Sequence, residues 1–170
     1  MLQNLVGKEL KAIYHDKFDF ISSSSQMIGF ESENLVFYLY SFVEPLDYFG
    51  STEDVAVCSI ETKKYPMAES KDLIKTPILQ TVKRIQVIQE NQRLYKNNVQ
   101  IYDVWLTRGI IIDFGDRQIS FEKAVWFSEE IYIQKGYNLI EKFSSADSFV
   151  ANEWNDELHA ECSREIIIIE

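Results

Sequence analysis

The sequence predicts an α+β fold: a mostly antiparallel β-sheet, arranged as a barrel or a sandwich-like meander, with one C-terminal amphipathic helix. Short runs of β-branched and aromatic residues recur at fairly even spacing, with turn-forming residues between them, and they predict the sheet. Apolar residues that recur every four positions near the C-terminus predict the helix. A chain of 170 residues can bury one good core, so we expect residues 1–170 to form a single domain.

The clearest strands lie between Val99 and Ile133, where successive apolar runs indicate an antiparallel meander. The run Phe114-Gly115-Asp116-Arg117 is the tightest predicted turn, because Gly115 can adopt the positive φ that a short hairpin needs. A second turn is expected at Asn97-Asn98. Together these signals predict three or more adjacent strands in the second half of the chain.

Earlier strands are predicted over 10–21, 35–43, 55–60 and 81–89. Pro45 is expected to end the second of these, because proline has no N–H to donate to a neighbouring strand.

The predicted helix follows Ser144 and Asp147, which resemble a capping box that satisfies the first free amides of a helix. The isoleucine run 166–169 is expected to pair inside the sheet, since an exposed run of this kind would promote aggregation. The apolar stripe that defines the helix consists of Ala146, Val150, Trp154, Leu158 and Cys162.

Composition indicates a cytoplasmic protein without a membrane segment. No apolar run approaches the roughly 18 residues that a spanning helix requires, and the first residues lack the features of a secretory signal. Cys58 and Cys162 are the only cysteines, which excludes a disulfide framework. Buried reduced thiols fit better than a bridge between them, but the sequence leaves their pairing open.

No catalytic, metal-binding or phosphate-binding motif is present. The two histidines are His15 and His159, and neither has a suitably placed partner. His15 and Asp16 are adjacent in a predicted strand, so their side chains would point to opposite faces. The spacings typical of zinc and calcium sites are also absent. We therefore expect no cofactor and favour a protein that is not an enzyme.

The charge distribution carries the strongest functional signal. The net charge of −10 argues against nucleic-acid binding, because a phosphate backbone must meet a basic face. The 45 residues between Lys17 and Lys63 hold eight acidic side chains and no Lys or Arg. From Ser144 to Glu170 there are seven acidic side chains against Arg164 alone. Two acidic segments thus flank a mildly basic middle.

The first acidic segment is also rich in Tyr and Phe, and aromatic anchors rimmed by carboxylates suit a basic protein partner. The resulting hypothesis is a binding domain, such as an inhibitor or immunity protein that neutralises a basic toxin. A nuclease would be one such toxin, because its cleft must be basic to hold phosphate. The predicted partner-binding residues are Glu31, Glu33, Glu44, Asp47, Tyr48, Phe49, Glu53, Asp54, Asp156, Glu157 and Glu161.

Two alternatives remain open. One is a β-barrel that binds a small ligand, or an unrecognised enzyme, with an aromatic-lined cavity formed by His15, Tyr38, Tyr40 and Trp105. The other is a structural subunit of a larger assembly. The sequence fixes neither the oligomeric state nor whether the two acidic segments meet in space.

Overall fold

The computed structural model describes residues 1–15, 24–25, 27–33, 35–48, 51–62, 73–124, 128–150 and 157–170. Within these ranges the chain forms two β-sheets in which every paired strand is antiparallel to its neighbour. The helical segments of the described chain are four residues each: two 3-10 turns at Leu2–Leu5 and Leu139–Lys142, and helix α1 at Asp147–Val150. None of them is long and apolar enough to cross a membrane.

The first sheet has five strands in the order β5-β4-β3-β1-β6. Its strands are β1 (Glu9–His15), β3 (Met27–Ser32), β4 (Leu35–Tyr48), β5 (Ser51–Glu61) and β6 (Ile74–Thr81).

The second sheet has six strands in the order β11-β7-β8-β9-β10-β2. The predicted meander between Val99 and Ile133 is confirmed as three neighbouring strands of this sheet. The predicted turn at Gly115 is confirmed as well: its φ is +98°, and the Phe114 N–H donates to the Arg117 carbonyl at 3.0 Å. The strands are β2 (Ser24–Ser25), β7 (Arg84–Lys96), β8 (Val99–Asp113), β9 (Gln118–Lys123), β10 (Ile131–Gly136) and β11 (Leu158–Ile169).

The main core lies between the two sheets. Phe30 and Phe37 of the first sheet stack with ring centroids 5.1 Å apart, and Phe121 of the second sheet meets Phe30 edge-on at the same distance. All three rings are fully buried, and isoleucines and leucines from both sheets surround them. Burial of apolar surface between the layers therefore joins the two sheets.

The predicted C-terminal helix is wrong. Helix α1 ends at Val150, and Leu158 to Ile169 form β11, which pairs with β7 along its whole length. The predicted helix continues through Trp154, which lies outside the described residues. Leu158 and Cys162, two members of the expected helical stripe, lie on one face of a strand instead. Over the described ranges the fold is therefore two antiparallel sheets without the helical layer that an α+β assignment requires.

The isoleucine run differs from expectation in one respect. It pairs with β7 over Ile85 to Ile88, but β11 is the edge strand of its sheet, so it has a neighbour on one side only. Ile166, Ile167 and Ile168 remain between 41% and 54% exposed.

Candidate functional site

At one end of the molecule the two sheets separate and enclose a cavity of about 550 Å³. The separation follows from unequal strand lengths. Strand β3 pairs with β4 only as far as Tyr40, and β9 pairs with β8 only from Gly109 onward. The β4–β5 and β7–β8 hairpins both extend beyond these short neighbours. The cavity lies between the extensions, and much of its wall is formed by Leu46, Val55, Val57, Val104 and Leu106.

Lys123 lies at the inner end of the cavity. It is the last residue of β9, is 3% exposed, and its Nζ donates to the Ala124 carbonyl at 3.3 Å. Burial and, to a smaller extent, the positive charge of Arg108 lower the pKa of this amine to about 8. Cys58 lies near the amine, and burial raises the pKa of its thiol to about 12. At neutral pH the thiol is thus protonated and a poor nucleophile.

Two ion pairs lie in the same part of the second sheet, one of them buried and the other part-buried. Arg108 pairs with Glu122 at 3.2 Å, and Arg164 pairs with Glu90 at 2.5 Å. Arg108 and Glu90 both act electrostatically on Lys123. Because each pair is neutral as a whole, the ammonium of Lys123 gives the group one excess positive charge. Buried positive charge of this kind is costly unless an anion approaches it.

The mouth of the cavity has the opposite charge. Glu44 and Asp47 line it from β4, and Asp54 lies next to them on β5, opposite Pro45. Across the mouth, burial and then the negative charge of Asp47 raise the pKa of Tyr102 to about 12. Trp105 also lines the cavity, and 57% of its surface is exposed. We call Glu44, Asp47, Asp54 and Trp105 the docking rim.

Glu31 and Glu33, two other predicted acids of the first segment, lie elsewhere. In the ladder between β3 and β4, Glu31 lies opposite Val36, near the start of β4. Val36 precedes Asp47 by eleven residues, which is about 36 Å along the strand at about 3.3 Å per residue. Lys75 lies 2.6 Å from Glu31 and, together with the hydroxyl of Tyr14, lowers the pKa of that carboxyl.

Three further predicted acids, Glu33, Glu157 and Glu161, form ion pairs with basic side chains of this chain. Glu33 forms an ion pair with Lys8 at 3.1 Å. Glu157 pairs with Lys96 at 3.1 Å, and Glu161 pairs with Arg93 at 3.0 Å and lies 3.5 Å from His159. Tyr48 and Glu53 belong to β4 and β5, but their side chains, like Phe49 and Asp156 as a whole, lie outside what the structure describes.

Of the residues expected to line an aromatic cavity, Trp105 does so. His15 instead contacts Thr76 on β6, with its Nε2 2.6 Å from the hydroxyl. Tyr38 and Tyr40 pack against each other and against Met27 in a separate cluster. Sequence reasoning missed Lys123, although a signal existed: Ile119, Phe121 and Lys123 alternate along one strand, so the lysine continues a buried row.

Within the described part of the chain, no three His, Cys, Asp or Glu side chains are grouped closely enough to hold a metal ion. Comparison with known proteins gives no further assignment: no protein-family model matches the chain, and no curated protein and no solved structure is significantly similar to it.

Proposed function

We propose that this chain is a cytoplasmic, non-enzymatic binding protein that uses the docking rim to hold a basic protein partner. The role that we favour is that of an inhibitor or immunity protein that neutralises a basic toxin, such as a nuclease. One observation supports the proposal: Trp105, 57% exposed, lines the same cavity as Glu44 and Asp47.

An exposed tryptophan beside carboxylates is well suited to recognise arginine. The guanidinium can stack on the indole face while its N–H groups donate to a carboxylate. Tryptophan is also among the residues most often found at the energetic centres of protein interfaces. Val99 and Ile101, which precede Trp105 on β8, are 63% and 43% exposed and extend the apolar part of the surface.

The docking rim differs from the other predicted acids in its surroundings. Glu31, Glu33, Glu157 and Glu161 each form an ion pair with a lysine or arginine of this chain, so much of their charge is already compensated. The three rim acids, Glu44, Asp47 and Asp54, belong to the 45-residue stretch that contains no Lys or Arg, as Glu31 and Glu33 also do. A negative potential at the rim would accelerate encounter with a basic surface and select against acidic partners.

Two matched variants test the proposal. The first neutralises the rim with Glu44→Gln, Asp47→Asn and Asp54→Asn; the second neutralises paired acids with Glu33→Gln, Glu157→Gln and Glu161→Gln. Both change the net charge by the same amount. The partner is captured from the source cell with the wild-type chain, identified, purified, and titrated into each variant by calorimetry.

We expect a partner with a basic isoelectric point. The rim variant should bind it about 100-fold more weakly at low salt, whereas the control should stay within about threefold. Trp105→Ala should cost at least about 2 kcal/mol of binding free energy. Equal losses in the two charge variants, or an acidic partner, would contradict the proposal.

The second candidate function is small-ligand binding, and the cavity favours it. Its volume of about 550 Å³ falls within the roughly 300–1,000 Å³ that is usual for ligand sites.

A further inference from the structure

We propose that the inner end of the cavity binds a small monocarboxylate with an apolar body, whose carboxylate meets the ammonium group of Lys123. This inference goes beyond the docking of a protein partner, because it concerns the interior of the cavity and requires no second protein. It rests on the position of Lys123, on the charge around it, and on the apolar walls.

The position of Lys123 leaves it available to a ligand. Its side chain is almost wholly buried, yet it lines a cavity that opens to solvent at the docking rim. A lysine ammonium has three N–H donors. The hydrogen bond to the Ala124 carbonyl uses one of them. A carboxylate at the inner end of the cavity could accept from the remaining donors without displacing that bond.

The charges around Lys123 favour an anion. The carboxylates of Glu122 and Glu90 are held by Arg108 and Arg164; the first pair is buried and the second is part-buried. The ammonium is therefore the excess charge of the group. A ligand carboxylate would make the group neutral and would form a charge-assisted hydrogen bond away from bulk water, where such bonds are strong.

The walls indicate what the rest of the ligand must be. The lining includes the apolar side chains Leu46, Val55, Val104 and Leu106, and polar ones such as Gln89 and Thr107. The apolar side chains would hold an alkyl chain or aromatic ring, which gains from leaving water. A single ammonium also matches a singly charged carboxylate better than a phosphate dianion. The acidic mouth disfavours a second negative charge at the outer end of the ligand.

Decanoate and 1-decanol form a matched pair of probes, since they share an apolar body and differ in the charged head group. Each is titrated into the wild-type chain and into Lys123→Met at pH 7, with binding followed by calorimetry. Methionine keeps the length of the lysine stem and removes its charge. Circular dichroism verifies that the variant is folded, and Lys123→Gln serves as a second variant if it is not.

We expect wild-type protein to bind decanoate at least about tenfold more tightly than decanol, the effect of one charge-assisted hydrogen bond. Lys123→Met should remove this preference and leave decanol affinity within about threefold of the wild-type value. The preference should also decline as the pH rises above the amine's pKa of about 8, because the deprotonated amine carries no charge.

The outcomes separate the possible failures. Equal affinity of the wild type for both probes would overturn the carboxylate assignment while leaving an apolar ligand site. A preference for decanoate that survives Lys123→Met would overturn the role of Lys123. Binding of neither probe would overturn the ligand site altogether. None of these results bears on the docking rim, which is tested by the charge variants above.

Discussion

The two ends of this β-sandwich differ in what occupies the space between the sheets. At the packed end, Phe30, Phe37 and Phe121 interlock and are fully buried. At the open end, the long hairpins extend past their shorter neighbours and enclose a cavity with Lys123 inside and Trp105 at its mouth. The difference indicates a division of roles. Close packing at one end holds the sheets together, while the other end can carry a buried charge and an exposed aromatic group that a closed core would not tolerate.

The largest expected effect comes from removing a ring at the packed end. Phe121→Ala should lower the free energy of unfolding by about 3–5 kcal/mol, because it removes buried contacts and leaves a cavity between the sheets. Trp105→Ala at the open end should cost no more than about 1 kcal/mol, since that ring is mostly exposed. Urea denaturation of both variants measures the contrast. Comparable losses would contradict the division of roles.

An intermediate effect of opposite sign is expected at Lys123. The folded state holds the amine at a pKa of about 8, below the ordinary lysine value of 10.5, so the charged form opposes folding. Lys123→Met should therefore stabilise the protein at pH 7 by about 1–3 kcal/mol.

The advantage of that variant should depend on pH. Between about pH 8 and 10.5 the unfolded wild type binds more protons at this residue than the folded wild type does. Wild-type stability should thus rise relative to Lys123→Met across this window, so the difference at pH 10 should be smaller than at pH 7. Urea titrations of both proteins at the two pH values measure it. A difference that does not change with pH would contradict a buried amine.

The smallest effect is expected from neutralising the docking rim. The triple variant of Glu44, Asp47 and Asp54 should unfold within about 0.5 kcal/mol of the wild type, because Glu44 and Asp47 line the cavity, Asp54 is exposed, and none of the three belongs to the main core. Thermal denaturation measures this difference. A loss above about 2 kcal/mol would show that the rim acids stabilise the fold, and their effect on binding would then need a different explanation.

Local turn chemistry and strand periodicity predicted most of the sheet. Asn97 and Asn98 adopt φ values of +49° and +63°, and Gly115 one of +98°, so residues that tolerate positive φ do mark these turns. The β7–β8 and β8–β9 hairpins follow from them. The arrangement of the strands into two sheets depends on long-range pairing, which turn residues do not encode.

The helix prediction failed because a spacing of four residues is ambiguous. Residues four apart share one face of a helix, but they also share one face of a strand, whose side chains alternate with a period of two. Leu158, Ala160 and Cys162 show the strand alternation: all three pack on the face that carries Leu94. The β-branched run that follows them favours a strand, and its pairing with β7 extends that strand back to Leu158.

Pro45 was expected to end β4, but the strand continues past it to Tyr48. The explanation lies in the neighbouring strands. At this position β4 pairs with β5 only, because β3 has already ended. The N–H of Val43, two residues earlier, points away from β5 and donates to the Glu129 carboxylate at 3.1 Å. Backbone N–H groups two residues apart point the same way, so an N–H at position 45 would also point away from β5. Proline there removes no hydrogen bond between β4 and β5.

The candidate site was predictable in part. Glu44, Asp47, Asp54 and Trp105 were each named from charge or aromatic character, but as members of different hypotheses. The cavity that Glu44, Asp47 and Trp105 line depends on how far β3 and β9 extend, and so on pairing registers that one sequence does not reveal. For the same reason composition could not show whether the acids form a single surface. Glu31 lies opposite Val36, far along β4 from Asp47.

The most direct test of the account is to map the partner's footprint by NMR, recording amide shifts of the labelled chain with and without the purified partner. The account predicts that the largest changes fall on residues 43–47, 54–58 and 99–107, which surround the docking rim. Changes concentrated on Glu31 and Glu33, or on the exposed isoleucines of β11, would contradict it.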